Sequence, residues 1–99
     1  MALVHNSFVL AANTPVLIAT IPEGNPLTHV VVSNSNGSSV FIGDSSVAAA
    51  GTADRGLRIA TLTNQDVWLN AGDTLYAVSA AGTGSGYDVS VLYSNVISA

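Results

Sequence analysis

The chain contains no cysteine and no lysine, and only one glutamate and one tryptophan, among 99 residues. Without cysteine there is no disulfide framework, no thiol nucleophile and no thiolate metal site, although this does not decide the cellular compartment. Without lysine, Arg55 and Arg58 are the only strong cations. They stand against Glu23, Asp44, Asp54, Asp66, Asp73 and Asp88, and the formal net charge is −4. Phosphate affinity needs clustered Lys and Arg, so the composition excludes a conventional nucleic-acid binder and argues against an anionic membrane surface as partner. Charged residues amount to 8%, against about 25% in an ordinary soluble domain. No run of about eighteen apolar residues is present, so no transmembrane helix is expected. The opening MALVHNSFVL lacks the basic n-region of a secretory signal, and no export signal is read from it.

What is present is apolar or neutral. Hydrophobic residues reach 48%, led by Val and Ala, and the polar remainder is mostly Ser, Thr and Asn. This mixture has weak helix propensity and good strand propensity. A surface of neutral polar groups packs against copies of itself without desolvating many ions, which would be costly. The length suits one domain with one modest core, large enough to fold without a metal or a disulfide. Composition favours an assembling β domain over an enzyme.

No linker, composition break or internal repeat divides the chain. Residues 1–6 precede the first clear strand signal and are read as an N-terminal arm, with residues 7–99 as a single β domain. Short apolar or alternating runs follow at Phe8–Ala12, Pro15–Ile21, Thr28–Ser33, Ser38–Ile42, Leu57–Leu62, Val67–Leu69, Thr74–Ala80 and Tyr87–Tyr93. The second is continuous enough to be buried on both faces. Turn chemistry separates the runs at Pro22-Glu23-Gly24-Asn25-Pro26, Asn34-Ser35-Asn36-Gly37, Asn70-Ala71-Gly72-Asp73 and the glycine tip from Gly82 to Gly86. The Asn36-Gly37 pair suits a type I′ hairpin that joins Thr28–Ser33 antiparallel to Ser38–Ile42. Residues 43–56 read as an exposed connection. The last run alternates most cleanly, Tyr87, Val89, Val91 and Tyr93 against Asp88, Ser90 and Ser94, with Leu92 interrupting the polar face. About eight short strands with little or no helix predict an all-β fold, a single-domain antiparallel β-sandwich of jelly-roll-like type.

Each motif with chemical content has a plainer reading beside it. Gly43-Asp44-Ser45 resembles the nucleophile block of GDSL-type esterases, whose serine needs a strand-to-helix turn and a later histidine. Both histidines, His5 and His29, lie upstream and no helix follows, so Asp44 is expected to accept backbone N–H groups in a turn. Gly82-x-Gly84-x-Gly86 has neither the helix nor the lysine of a phosphate loop. His5 and His29 share no metal-ligand spacing, and the aspartates form no calcium-loop run, though a calcium site built from separate loops would leave no such mark. Nothing selects a glycosidase carboxylate pair. Asn36-Gly37-Ser38 matches a glycosylation sequon, but the hairpin is the preferred reading. No enzyme activity, cofactor or metal is expected. Trp68 is the one large amphipathic anchor. It faces outward if Val67 and Leu69 face the core, as a sugar platform or a protein contact; packing inside with Tyr76 is the other reading. Arg55 and Arg58 are expected to pair with an acidic group on this chain or a neighbour.

The phrase Val40-Phe41-Ile42-Gly43-Asp44-Ser45-Ser46-Val47, the later Gly72-Asp73-Thr74-Leu75-Tyr76-Ala77-Val78-Ser79-Ala80, and Tyr87-Asp88-Val89-Ser90-Val91-Leu92 carry a resemblance. Together they resemble small β-rich virion proteins of tailed bacteriophages, of the capsid cement or decoration type. The resemblance implies a non-enzymatic role on the outer surface of the capsid, in a virion assembled in the host cytoplasm, clamping neighbouring major capsid subunits. It also implies a homo-oligomer, with a trimer favoured, and offers no catalytic residue to carry over. The expected contact residues are Leu3, Val4 and His5 of the arm together with Arg55, Arg58 and Trp68. The alternative is a tail, fibre or receptor-binding module that recognises sugars through Trp68 or the tyrosines, against which the aromatic content of 6% weighs.

Overall fold

Runs of β-branched residues with a period of two bury one face of a strand and leave the other to solvent. The computed structural model describes residues 2–11, 13–36, 38–47, 56–79 and 88–95. Within them the chain forms β1 (Ala2–Phe8), β2 (Val16–Thr20), β3 (Thr28–Asn34), β4 (Val40–Gly43), β5 (Leu57–Ile59), β6 (Asn64–Leu69), β7 (Thr74–Val78) and β8 (Val89–Asn95). No helix occurs among the described residues.

The pairing follows one rule: β1 with β8, β2 with β7, β3 with β6 and β4 with β5, all antiparallel. The chain is therefore one long two-stranded ribbon, bent at the β4–β5 connection. Rolling the ribbon sets β3 beside β8 and β4 beside β7. Two sheets result, in the orders β1-β8-β3-β6 and β2-β7-β4-β5, which is the strand order of a jelly roll. Their inner faces close on one core that includes Leu10, Ile18, Ile21, Val30, Val32, Val40, Ile42, Val89 and Val91. Each such side chain withdrawn from water contributes about 1.5–3 kcal/mol before the entropy of ordering is counted. The expected small all-β sandwich is what the chain forms.

A smaller apolar cluster lies on the outside of the second sheet, where Phe41 and Val78 are covered by Val47 and flanked by Tyr76. Val47 returns to the sheet through a turn in which its N–H donates to Asp44 O at 3.0 Å. Gly56 makes this return passable, because a Cβ there would overlap Ile42 O and the Val47 side chain. Of the connection 43–56, Val47 is thus buried rather than exposed, and residues 48–55 lie outside the described residues.

Four expectations are corrected. From Ala2 onward, the residues read as an arm form strand β1, paired with β8 from Ala2↔Asn95 to Phe8↔Val89. The apolar run after Phe8 is instead the crossover to the second sheet. There Leu10 is fully buried and its N–H donates to the Asp88 carboxylate at 2.9 Å. Burial without a ladder partner made that run look like a strand. β2 is an edge strand with a register shift between Leu17 and Ala19, and Leu17 is exposed, so it is not buried on both faces. The Asn36-Gly37 segment does not make a hairpin, because β3 and β4 belong to different sheets.

A buried polar corner takes the place of that hairpin. Asn34 is 1% exposed. Its Nδ2 donates to Ser38 O at 3.0 Å and Ile59 O at 2.9 Å, and its Oδ1 accepts from Asn36 N at 2.8 Å. Asn36 Oδ1 in turn accepts from Ser38 N at 2.9 Å, and Thr61 Oγ1 donates to Asn36 O. These bonds satisfy the backbone groups that a chain leaving one sheet for another would orphan.

Candidate interaction surface

The two outer faces differ. On the second sheet the outer face is partly roofed by Val47. On the first sheet the described residues leave it open, and side chains of every other residue stand on it in ordered rows. In the middle row His5 lies opposite Leu92, Leu92 opposite Val31, and Val31 opposite Asp66. In the next, Ser7 lies opposite Ser90, Ser90 opposite Ser33, and Ser33 opposite Asn64. On the other side of the middle row Leu3 pairs with Ser94 and His29 with Trp68.

Alternation decides which way Trp68 points. Val67 and Leu69 pack against the core, so Trp68 turns outward and is 59% exposed. Its indole stacks on the His29 ring, with centroids 4.6 Å apart and planes 15° from parallel. His29 Nε2 donates to Asp66 Oδ2 at 2.8 Å, one pleat along the same strand as Trp68. That hydrogen bond, with a smaller backbone contribution, holds the Asp66 carboxyl below the usual carboxylate range. Both partners remain well exposed, so the pair orients the imidazole more than it stabilises the fold.

Apolar side chains dominate the far side of the face. Leu3 is 68% exposed and Leu92 is 45% exposed. Between them and the serine row runs a shallow groove of about 360 Å³, lined by His5, Ser7, Val31, Ser33, Ser90 and Leu92. Ser7 and Ser90 share a hydroxyl hydrogen bond of 2.9 Å on its floor. Among the described residues no cluster of three metal-ligating side chains occurs.

The expected contact residues therefore separate. Leu3, His5 and Trp68 share the open face of the first sheet. Val4 points the other way and packs against the core. Arg58 stands on β5 of the second sheet, where its Nε donates to Ser39 Oγ at 2.9 Å. Arg55 lies outside the described residues. Asp44 behaves as expected of a turn residue, accepting from Ser46 N at 2.9 Å and Ser46 Oγ at 2.7 Å. These bonds lower its pKa, the serine hydroxyl more than the backbone. The Gly43-Asp44-Ser45 phrase follows a strand of one sheet, whereas His5 and His29 stand on the other. Leu92 was visible as the apolar interruption in a polar alternation. The His29–Asp66 contact spans 37 residues and becomes visible only with the β3–β6 register.

Fold and face together define a small jelly-roll sandwich with one open, sparsely charged sheet face. The chain matches no family model, no curated protein and no solved structure.

Proposed function

We propose that the chain is a non-enzymatic virion structural protein, a capsid cement or decoration protein that binds neighbouring major capsid subunits and acts as a homo-oligomer. The observation that carries this reading is the open face of the first sheet. It exposes Leu3, Leu92 and Trp68 and carries one carboxylate, Asp66, already bonded to His29. Docking such a face removes apolar area from water and strands few ions, which suits a protein contact. Many weak copies on a lattice then stabilise the shell by avidity. The resemblance of Val40–Val47 and Gly72–Ala80 to phage virion phrases supports the same assignment.

A second reading, a tail or receptor-binding module for sugars, is favoured by one observation. Trp68 keeps an indole face exposed beside the Asp66 carboxylate, a combination that stacks on a sugar ring and accepts its hydroxyls. The deciding experiment is the copy number of this chain in purified particles relative to the major shell protein. A ratio of one per shell subunit, or one per few, is the expected result. A few copies per particle would move the assignment to the tail or a vertex, and absence would withdraw the virion reading. In the cement role, Trp68→Ala is expected to leave the isolated domain folded while weakening shell binding by about 2–4 kcal/mol, as a hot-spot loss does.

A further inference from the structure

Each sheet has two edge strands, and an open edge is a template for another chain unless something blunts it. Three of the four edges are blunted. β5 is three residues long and carries Arg58. β2 follows Pro15 and is broken by the register shift between Leu17 and Ala19. β6 carries the charge of Asp66. β1 has none of these devices. It is seven residues of Ala-Leu-Val-His-Asn-Ser-Phe, without charge, proline or glycine, and its register against β8 runs unbroken. Among the described residues no strand lies on its other side.

The hydrogen-bond phase shows what this edge offers. Ser35 N donates to Asp88 O, so the backbone groups of Ser90, Leu92 and Ser94 face β3, and those of Val89, Val91 and Tyr93 face β1. The register Val4↔Tyr93, Asn6↔Val91 and Phe8↔Val89 then commits Val4, Asn6 and Phe8 to β8. Phe8 O, which accepts from Asp88 N, fits this phase. Leu3, His5 and Ser7 are left presenting N–H and C=O to the open side.

We infer that this edge is the site at which a second copy of the chain adds, β1 against β1 about a two-fold axis through His5. Two identical strands related by such an axis run antiparallel, and each facing pair exchanges two backbone bonds. Leu3 of one copy faces Ser7 of the other, and His5 faces His5. The pairing closes at two copies. A three-fold ring, the assembly favoured by the phage resemblance, would need β1 to meet a different edge, and the others are blunted. Size argues the same way. Four strands about 4.8 Å apart, some seven residues long at about 3.3 Å each, give an outer face of roughly 450 Å². That is about half of the ~800 Å² that one side of a standard interface contributes. Joining two first sheets edge to edge lays two such faces side by side as one continuous surface. The dimer does not depend on the virion assignment.

Sedimentation equilibrium of the full chain over a concentration series tests it, with a reversible monomer–dimer equilibrium as the expected result. Leu3→Lys with Ser7→Lys sets like charges opposite one another across the axis and is expected to weaken association at least about tenfold. Leu3→Lys with Ser7→Glu sets opposite charges there and is expected to restore the dimer. Far-UV circular dichroism confirms that both variants fold. His5→Pro removes a donor on the open side only and is likewise expected to give a monomer. A wild-type chain that is monomeric throughout, trimeric, or open-ended in its association overturns the inference. So does a dimer that survives the double lysine variant, or one that the lysine–glutamate variant fails to restore. Particle copy number plays no part in these measurements, so the dimer and the virion reading fail independently.

Discussion

His29 is held between an aromatic ring and a carboxylate on an open sheet face. Because the folded-state pKa of Asp66 is depressed, its hydrogen bond adds stability above the ordinary carboxylate value. That stability is lost as the pH falls through the folded value. In His29→Ala the Asp66 titration midpoint, followed by carboxyl carbon NMR, is expected to move up toward 3.8. The Asp44 midpoint should stay put, since Ser46 sets it. An Asp66 midpoint indifferent to the substitution would show that the imidazole does not hold the carboxylate. At this scale the sequence was informative wherever alternation alone decides a direction. Leu92 betrays itself among serines, whereas for Trp68 the sequence left inward packing with Tyr76 open, and it is the packing of Val67 and Leu69 on the core that turns it outward. The sequence was silent about His29 and Asp66, because no local pattern relates two residues that meet only when β3 and β6 are set in register.

The corner between β3 and β4 teaches the opposite lesson. An Asn-Gly pair between two strands carries a strong hairpin signal, yet these strands part company into different sheets. Asn34 decides the matter from a fully buried position at the end of β3, bonding Ser38 O just before β4 and Ile59 O on β5 of the second sheet. Asn34→Ala is expected to lower the stability by about 2–3 kcal/mol, since buried backbone groups lose their partners together. Urea denaturation that gives a midpoint like the wild type would assign the corner no such role. Element by element, the turns at Pro22–Pro26 and Asn70–Asp73 stand where they were expected, with Gly24 and Gly72 at positive φ, and the glycine tip from Gly82 to Gly86 lies outside the described residues. Strand boundaries were less legible. The run after Phe8 is as apolar as a strand, and only Leu10 N–H bonding Asp88 in place of a neighbouring strand reveals a crossover.

For the whole molecule, the all-β class was written in the alternation of short runs, but the rolled ribbon was not, and the count of eight agrees because β1 supplies the strand that the run after Phe8 does not. Which strands pair depends on closing loops between distant segments, and no local signal encodes that. The ribbon makes contacts between the two ends of the chain, Ala2 with Asn95 among them. Loop-closure entropy must be met before such contacts form, so refolding is expected on the order of milliseconds to seconds. Stopped-flow circular dichroism checks this, and a microsecond phase carrying the full amplitude would contradict it.

The same ribbon orders events on the ribosome. β1 emerges first, and its only strand partner among the described residues, β8, emerges last. At about 5–20 residues per second the interval is roughly 4–17 s. Throughout it, the seven uncharged residues of β1 lack the strand that pairs with them in the fold. Nascent chains side by side on one message offer those residues to each other before either has its own β8 to use. The rate of initiation, by setting how many unfinished copies are crowded together, thereby influences what share of them closes correctly.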